Sequence, residues 1–476
     1  MRKEYKAHPL MMLSIMKPTL FILVFPFIKG IVNYLTDRRL TSVIIIELLL
    51  FSTIFAVAVL RYRSFRISVD DERVYIRSGF LFVNRAEIKI SQLSSVQSRQ
   101  NPLDAVFRCV TYIINTEAGR KNRSDFKFKL SLKDSKEISL KLYGDKESIR
   151  VKFSALKIAI LAATTSSAFT GIVIGVPLIN RAGKLLGIGL SEMLFDEINN
   201  VSNKFSLYFP PIVNVISLIF LLAYGVSFVY LFIKYIKFRL YISDNKLEVR
   251  SGFFVRTRIS FRRKSINDVR IEQSPLMLLF KRYAMKVSVG GYGDSKSESE
   301  VIVPSAGRKE IISNFKEYFP FLMPDGNIVK APRNNITKSR FLFLPAVYLL
   351  IVLSLSIVSA LIFKDFGRLI LFLSLIAMIT VFYYAFLSLR TYKIGKIRLS
   401  DTVYAHSTKG LRACKVYCPK EKIGQIKISR FFNDFRFNTC KVRLTVRSES
   451  ADSIKVKLLD YNQVKQEIKN CYGIDV

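Results

Sequence analysis

Tryptophan is absent, histidine occurs twice and cysteine five times, and 36 Asp and Glu are outnumbered by 74 Lys and Arg. Each scarcity closes a class of chemistry. His8 stands beside the first apolar run and His406 near the other end of the chain, so a histidine-based triad, a multi-histidine metal site or a His-Cys pair has little to be built from. Cys109, Cys414, Cys418, Cys440 and Cys471 contain no C-x-x-C spacing; this odd set predicts reduced cytosolic thiols instead of a zinc site or disulfide framework. The glycine-rich stretch at 290–293 lacks the Lys-Ser/Thr that completes a phosphate loop and reads as a hairpin turn. The expectation is a non-enzymatic chain with no catalytic residue, no cofactor and no metal.

What is present is apolar and basic at once. Half of the 476 residues are hydrophobic and the net charge is +38, an unusual pairing for one soluble globule but a natural one for a membrane protein facing anionic lipid. Without Trp, an interfacial aromatic belt must come from 22 Tyr and 38 Phe. Six runs reach the roughly 20 residues a helix needs to cross a bilayer: 10–32, 41–60, 155–179, 211–232, 341–363 and 368–387. They pair into three hairpins. The first carries Lys17 and Lys29, which can snorkel, and it lacks a cleavage site, so it reads as an anchor. Glu47 sits inside the second run, and Gly171 and Gly175 in the third form a small-x-x-x-small pair suited to close helix packing. Residues 181–208 fit either an amphipathic helix on the outer interface or a plain connector.

Arg and Lys cluster at the domain-side ends of these runs, which puts the soluble domains and both termini in the cytoplasm; Arg38, Arg39 and Lys364 run against that pattern. The predicted organisation is a hairpin at 1–60, a soluble domain at 61–152, a second hairpin at 153–236 with the outer segment 181–208, a domain at 237–322, a third hairpin at 338–389 and a domain at 390–476.

The soluble segments are repeats. Phe65 onward matches Phe238 onward at an ungapped offset of 173: Arg77-Ser78-Gly79-Phe80 falls on Arg250-Ser251-Gly252-Phe253, Gln100 on Gln273, Pro102-Leu103 on Pro275-Leu276 and Phe107 on Phe280. A third copy at a further offset of 157 keeps Ile423, Ile428 and Phe437 but loses the Arg-Ser-Gly turn. Period-two alternation predicts short strands, and Ile311, Ile312, Phe315 and Phe319 predict a closing helix with one apolar face, with a counterpart at 460–472. Each repeat is expected to fold as a separate barrel.

The Arg-Ser-Gly turn, the Ile266-to-Leu276 segment with its Gln-Ser-Pro-Leu, the terminal helix and the start Lys6-Ala7-His8-Pro9-Leu10 resemble the bacterial pleckstrin-homology-like domain of YdbS- and YdbT-type membrane proteins. That resemblance implies three transmembrane hairpins, each followed by a PH-like β-barrel with a C-terminal helix, and no enzymatic activity.

The strongest chemical pattern lies in the middle repeat. Arg256, Arg258, Arg262 and Lys264 alternate with Val255, Ile259 and Phe261, so four cations share the solvent face of a strand, where they can touch an anionic leaflet diffusely or hold a headgroup in a pocket. The offsets leave Arg85 and Lys89 in the first copy and, in the third, Lys415 facing Glu421, so the middle domain should bind acidic membranes most tightly. The implied partners are anionic phospholipid and either another membrane protein or a second copy of the chain. Nucleic acid is excluded, since the charge is spread beside six apolar runs with no recognisable nucleic-acid module. The reading is a membrane protein whose domains bind the inner leaflet, a headgroup or a partner, in envelope maintenance or as a scaffold. The alternative is a six-span transporter or export component using Glu47 and Thr164-Thr165-Ser166-Ser167.

Overall fold

The computed structural model describes residues 3–16, 42–80, 82–116, 125–143, 149–186, 189–204, 211–289, 299–323, 326–363, 367–409, 412–446 and 453–473. Most of the first apolar run with Lys17 and Lys29, the Arg38, Arg39 and Lys364 positions, the glycine turn at 290–293 and the side chain of Glu47 lie outside these residues.

In chain order the strands are β1 (Glu4–Lys6), β2 (Arg66–Val69), β3 (Arg73–Ser78), β4 (Asn84–Lys89), β5 (Leu93–Gln100), β6 (Cys109–Thr116), β7 (Phe126–Ser131), β8 (Ile149–Lys152), β9 (Arg239–Ser243), β10 (Lys246–Ser251), β11 (Arg256–Arg262), β12 (Ile266–Gln273), β13 (Tyr283–Val289), β14 (Ser299–Ala306), β15 (Ile328–Lys330), β16 (Lys396–Arg398), β17 (Thr402–Lys409), β18 (Arg412–Pro419), β19 (Ile423–Ser429), β20 (Thr439–Val446) and β21 (Ser453–Asp460). They form sheets ordered β1-β2-β3-β4, β7-β6-β5-β11-β10-β9-β8, β14-β13-β12-β18-β17-β16-β15 and β19-β20-β21. The Arg-Ser-Gly turns owe their glycines to backbone geometry: Gly79 and Gly252 have φ of 103° and 101°, where a side chain is strained.

Strand pairing does not respect the repeat boundaries, which corrects the expectation of separate barrels. β5 of the first repeat pairs with β11 of the second, and β12 of the second pairs with β18 of the third. A three-stranded half-sheet has an edge of unpaired backbone groups, and a neighbouring copy offers an edge to cover it. Contacts divide the chain into two compact units, and the middle repeat is split between them: β9–β11 belong to one, β12–β14 to the other.

Within the first unit, the first repeat has its own core. Ile67, Val74 and Ile76 from β2–β3 meet Val96, Tyr112, Ile114 and Phe128 from β5–β7 and Ile138 and Leu142 from the helix Leu132–Tyr143. Burying each such side chain stabilises the fold by about 1.5–3 kcal/mol. Within the second unit the third repeat repeats the plan, with Ile397 and Ala405 facing Val442 and Leu444 and capped by Val464 and Ile468 of the helix Tyr461–Tyr472.

Three helices among the described residues are long and apolar enough to cross a membrane, Asn214–Tyr235, Asn335–Ile362 and Ile370–Ile394. The run at 155–179, expected as one span, consists of two helices, Ala155–Thr165 and Ala168–Leu186, bent by 97° at a short break. The polar run is the cause. Thr164 and Thr165 return their hydroxyls to the Leu161 carbonyl (2.9 and 2.7 Å), Ser166 bonds the Ala162 carbonyl (2.6 Å), and the Ser167 hydroxyl receives the Thr170 N–H (3.2 Å). The helix Pro211–Tyr235 satisfies backbone groups freed by the break, Tyr224 donating to the Ala163 carbonyl (2.6 Å) and Ser227 receiving the Ser167 N–H (3.2 Å). Beyond the break, Gly171 permits close approach: a Cβ there would lie 1.5 Å from the Ala223 carbonyl oxygen.

Candidate functional site

The alternation read in β11 is real, but its cationic side is only partly a solvent face. Ile259 and Phe261 are buried, Arg256 is exposed, Arg258 and Arg262 are half-buried, and exposed Lys264 lies past the strand in the short turn Arg263–Ser265. Paired residues point to one side of a sheet, and Ser260 sits opposite Glu248 on β10 and Val96 on β5, a core residue of the first repeat. Arg258 is therefore placed beside protein. It forms a two-pronged bond to Glu248, Nε donating at 2.6 Å and Nη2 at 2.9 Å, while Arg250 Nε donates to the same carboxylate at 2.5 Å. Lys246 Nζ reaches the Leu142 carbonyl at the end of the first repeat's helix (3.2 Å). The Asp244-Asn245 turn fixes this register, so Glu248 as a counter-ion was legible in the sequence. In the first repeat, Arg85 and Lys89 are exposed on β4, and Glu87 between them pairs with Arg73.

A second feature recurs in all three repeats. After β5, β12 and β19 the chain makes a five-residue helix, Pro102–Val106, Pro275–Leu279 and Phe432–Arg436. Each presents unburied apolar side chains: Leu103, Val106 and Phe107; Leu276, Leu279 and Phe280; Phe431, Phe432 and Phe435. Arg108, Lys281 and Asn438 follow them in the left-handed region (φ 50°, 52° and 48°), so the third repeat keeps the geometry where its sequence has drifted. The Pro-Leu and Phe matches marked this turn as repeated. Their exposure was not legible, because it depends on what neither sheet covers.

Each turn is also where a hairpin meets its domain. In the first repeat Asp104 receives Lys129 Nζ (2.5 Å) and the Asn101 N–H (3.3 Å). Burial alone would raise its pKa, but Lys129 and Asn101 outweigh it and hold the carboxyl below the usual range. His8, just before the first helix, is lowered by burial and by Lys129. In the third repeat Asp434 takes Arg340, from the first turns of the helix Asn335–Ile362, together with the Thr439 hydroxyl (2.9 Å). The second repeat has Met277 in this place, packed with Leu161 of the helix Ala155–Thr165. The joint is thus apolar in the second repeat and ionic in the third, while the ion pair of the first lies within its domain.

Beside the third joint lies a groove of about 670 Å³. Phe341, Leu344 and Leu387 give it an apolar wall at the domain end of the third hairpin, and Lys441, Lys455 and Lys457 give it a cationic rim. Burial and the charges of Lys455 and Lys457 lower the Lys441 pKa, as expected of an amine crowded by like charge. The cysteines offer no competing chemistry: all five are free, and burial pushes the Cys109 thiol up to about 11 and those of Cys414 and Cys440 to about 12, far from a reactive thiolate.

No solved structure matches the chain. It is 18% identical over 336 residues to the UPF0699 transmembrane protein YdbT of Bacillus subtilis (strain 168); the match covers 64% of this chain and 66%, just under two thirds, of that protein. The relative and the apolar helices together make this a multi-pass membrane protein. The family model described as Bacterial PH domain matches residues 19–146 and 188–311, more than half of the sequence and covering the first two repeats' sheets in large part. With that match added to the paired half-sheets and closing helices, the chain belongs to the bacterial PH domain family.

Proposed function

We propose that the protein is a non-enzymatic membrane anchor whose PH-like domains lie on the cytoplasmic leaflet, press the three apolar turns into it and seat an anionic phospholipid in the groove of the third repeat. The groove carries this reading. Its apolar wall continues the surface of membrane helices and suits acyl chains, while three lysines at its rim suit a phosphate, each worth about 1 kcal/mol near an anionic surface. Arg256, Lys264, Arg85 and Lys89, all exposed, add diffuse attraction that salt screens over roughly 8–10 Å. The transport alternative loses support at the Thr-Thr-Ser-Ser run, whose hydroxyls are taken up in the helix break.

Native mass spectrometry of the full chain released from phosphatidylglycerol nanodiscs tests the groove. The unaltered protein should retain bound phospholipid, and Lys441→Gln, Lys455→Gln, Lys457→Gln together should lose it. Equal retention would overturn the assignment. Orientation is tested by labelling Lys264→Cys in intact cells with an impermeant thiol reagent; Cys109 and Cys440 are too deeply buried to report. Labelling without lysis would place the domains outside.

A further inference from the structure

The sheet face that in the middle repeat holds Glu248 between Arg250 and Arg258 has a counterpart in the third repeat without the acid. There the register aligns Lys330, Lys396, His406 and Lys415 across β15 to β18, ending on Ile271 of β12. The next row is Arg398, Tyr404 and Tyr417, ending on Val269. Lys415 occupies the place of Arg258 and Tyr404 the place of Glu248.

Lys415 and His406 are only 6% and 7% exposed. Among the described residues no ion pair reaches Lys415, Lys396, Arg398 or Arg308, and Arg398 Nε is buried with no hydrogen-bond partner. Glu272 of β12 is on the opposite face with Lys286 and Arg412, and Glu310 is engaged by Lys157 and the Gly307 N–H. What the cluster has is aromatic: Lys415 Nζ lies 5.3 Å from the Tyr283 ring centre and Lys396 Nζ 5.5 Å from that of Tyr404. Such contacts offset only part of the cost of burying an unpaired ammonium. Accordingly burial, then Arg308, Lys396 and Arg390, brings the Lys415 pKa down to about 8, and burial with Lys415, Lys396, Arg390 and Arg308 brings His406 to about 3. An anion would supply what Glu248 supplies in the other repeat.

We propose that this face of the third repeat is a binding site for a phosphoryl group, held by the ammonium groups of Lys415 and Lys396, the guanidinium of Arg398 and an N–H of His406. Arg390, on the last turns of the helix Gly367–Ile394, donates to Gln273 (2.6 Å) and brings the cluster to the domain end of a membrane helix, within reach of a headgroup as well as of free phosphate. None of Lys415, Lys396, Arg398 and His406 lines the lysine-rimmed groove.

The two histidines make the test direct. Full-length protein labelled at histidine, with His8→Gln as the assignment control, is titrated by NMR in detergent with and without inorganic phosphate, and in phosphate-free phosphatidylglycerol nanodiscs. An anion seated here should raise the His406 pKa by at least about one unit, and Lys415→Met should abolish that rise. A response to inorganic phosphate identifies free phosphate as a ligand; a response confined to the nanodiscs identifies a headgroup. No response of His406 in either medium would overturn the proposal.

Discussion

One face of the fold is built twice with different charges. In the middle repeat Glu248, 12% exposed, closes on Arg250 and Arg258, so both cations share a counter-ion. In the third, Tyr404 and Tyr417 stand where Glu248 and Ser260 would be, and Lys396, His406 and Lys415 crowd together without an acid. The backbone register is the same, so the difference lies in the side chains: the acid is gone, and His406 and Lys415 stand where Arg250 and Arg258 do. A duplicated domain can therefore keep its sheet while one copy loses the acid that holds its cations. The expectation that the third repeat would be the weakest anion binder counts cations along one strand, whereas this row takes Lys396, His406 and Lys415 from three.

The largest effect that would break the comparison is Glu248→Leu. It strands Arg258 and Arg250 beside the first repeat's core and should destabilise the protein by about 3–4 kcal/mol, read as a fall in unfolding temperature, with Arg258→Met added to recover most of it. A smaller loss than in Tyr404→Phe would show that Glu248 is not the keystone.

Acidification should separate the two faces next. His406 is lowered to about 3 from an ordinary 6.5, so the unfolded state binds more protons between those values and stability falls as pH drops below 6.5. Between pH 6.5 and 4 the loss should be about 2–3 kcal/mol, and His406→Phe should remove most of it. His8, lowered in the same sense, leaves a residual slope in that variant.

A sign reversal sharpens the comparison at aligned positions. Arg258→Met should destabilise by about 2 kcal/mol, whereas Lys415→Met, in anion-free buffer, should stabilise by about 1–2 kcal/mol because it removes an uncompensated buried cation. Unfolding of both variants in the same detergent decides it. The smallest effect belongs to the exposed cations: Arg256→Ala and Lys264→Ala should change stability by less than about 0.5 kcal/mol. They should still weaken attachment to acidic membranes in a salt-dependent way, visible as weaker protection of the domains from proteolysis in high salt.

The sequence by itself determined the repeats, the apolar runs, the strand alternation and the closing helices, because each depends on residue spacing within a few turns of chain. It also held the glycines of the Arg-Ser-Gly turns and the close approach at Gly171. Tertiary structure alone decided which edges join. β5 meets β11 and β12 meets β18 through backbone groups that every residue carries, so no side-chain pattern announces the pairing. That pairing decides the rest: it turns the cations of β11 partly inward against Glu248 and Val96. It also brings half-buried Lys396 into one row with buried His406 and Lys415 from two further strands, where low polarity makes a missing counter-ion count.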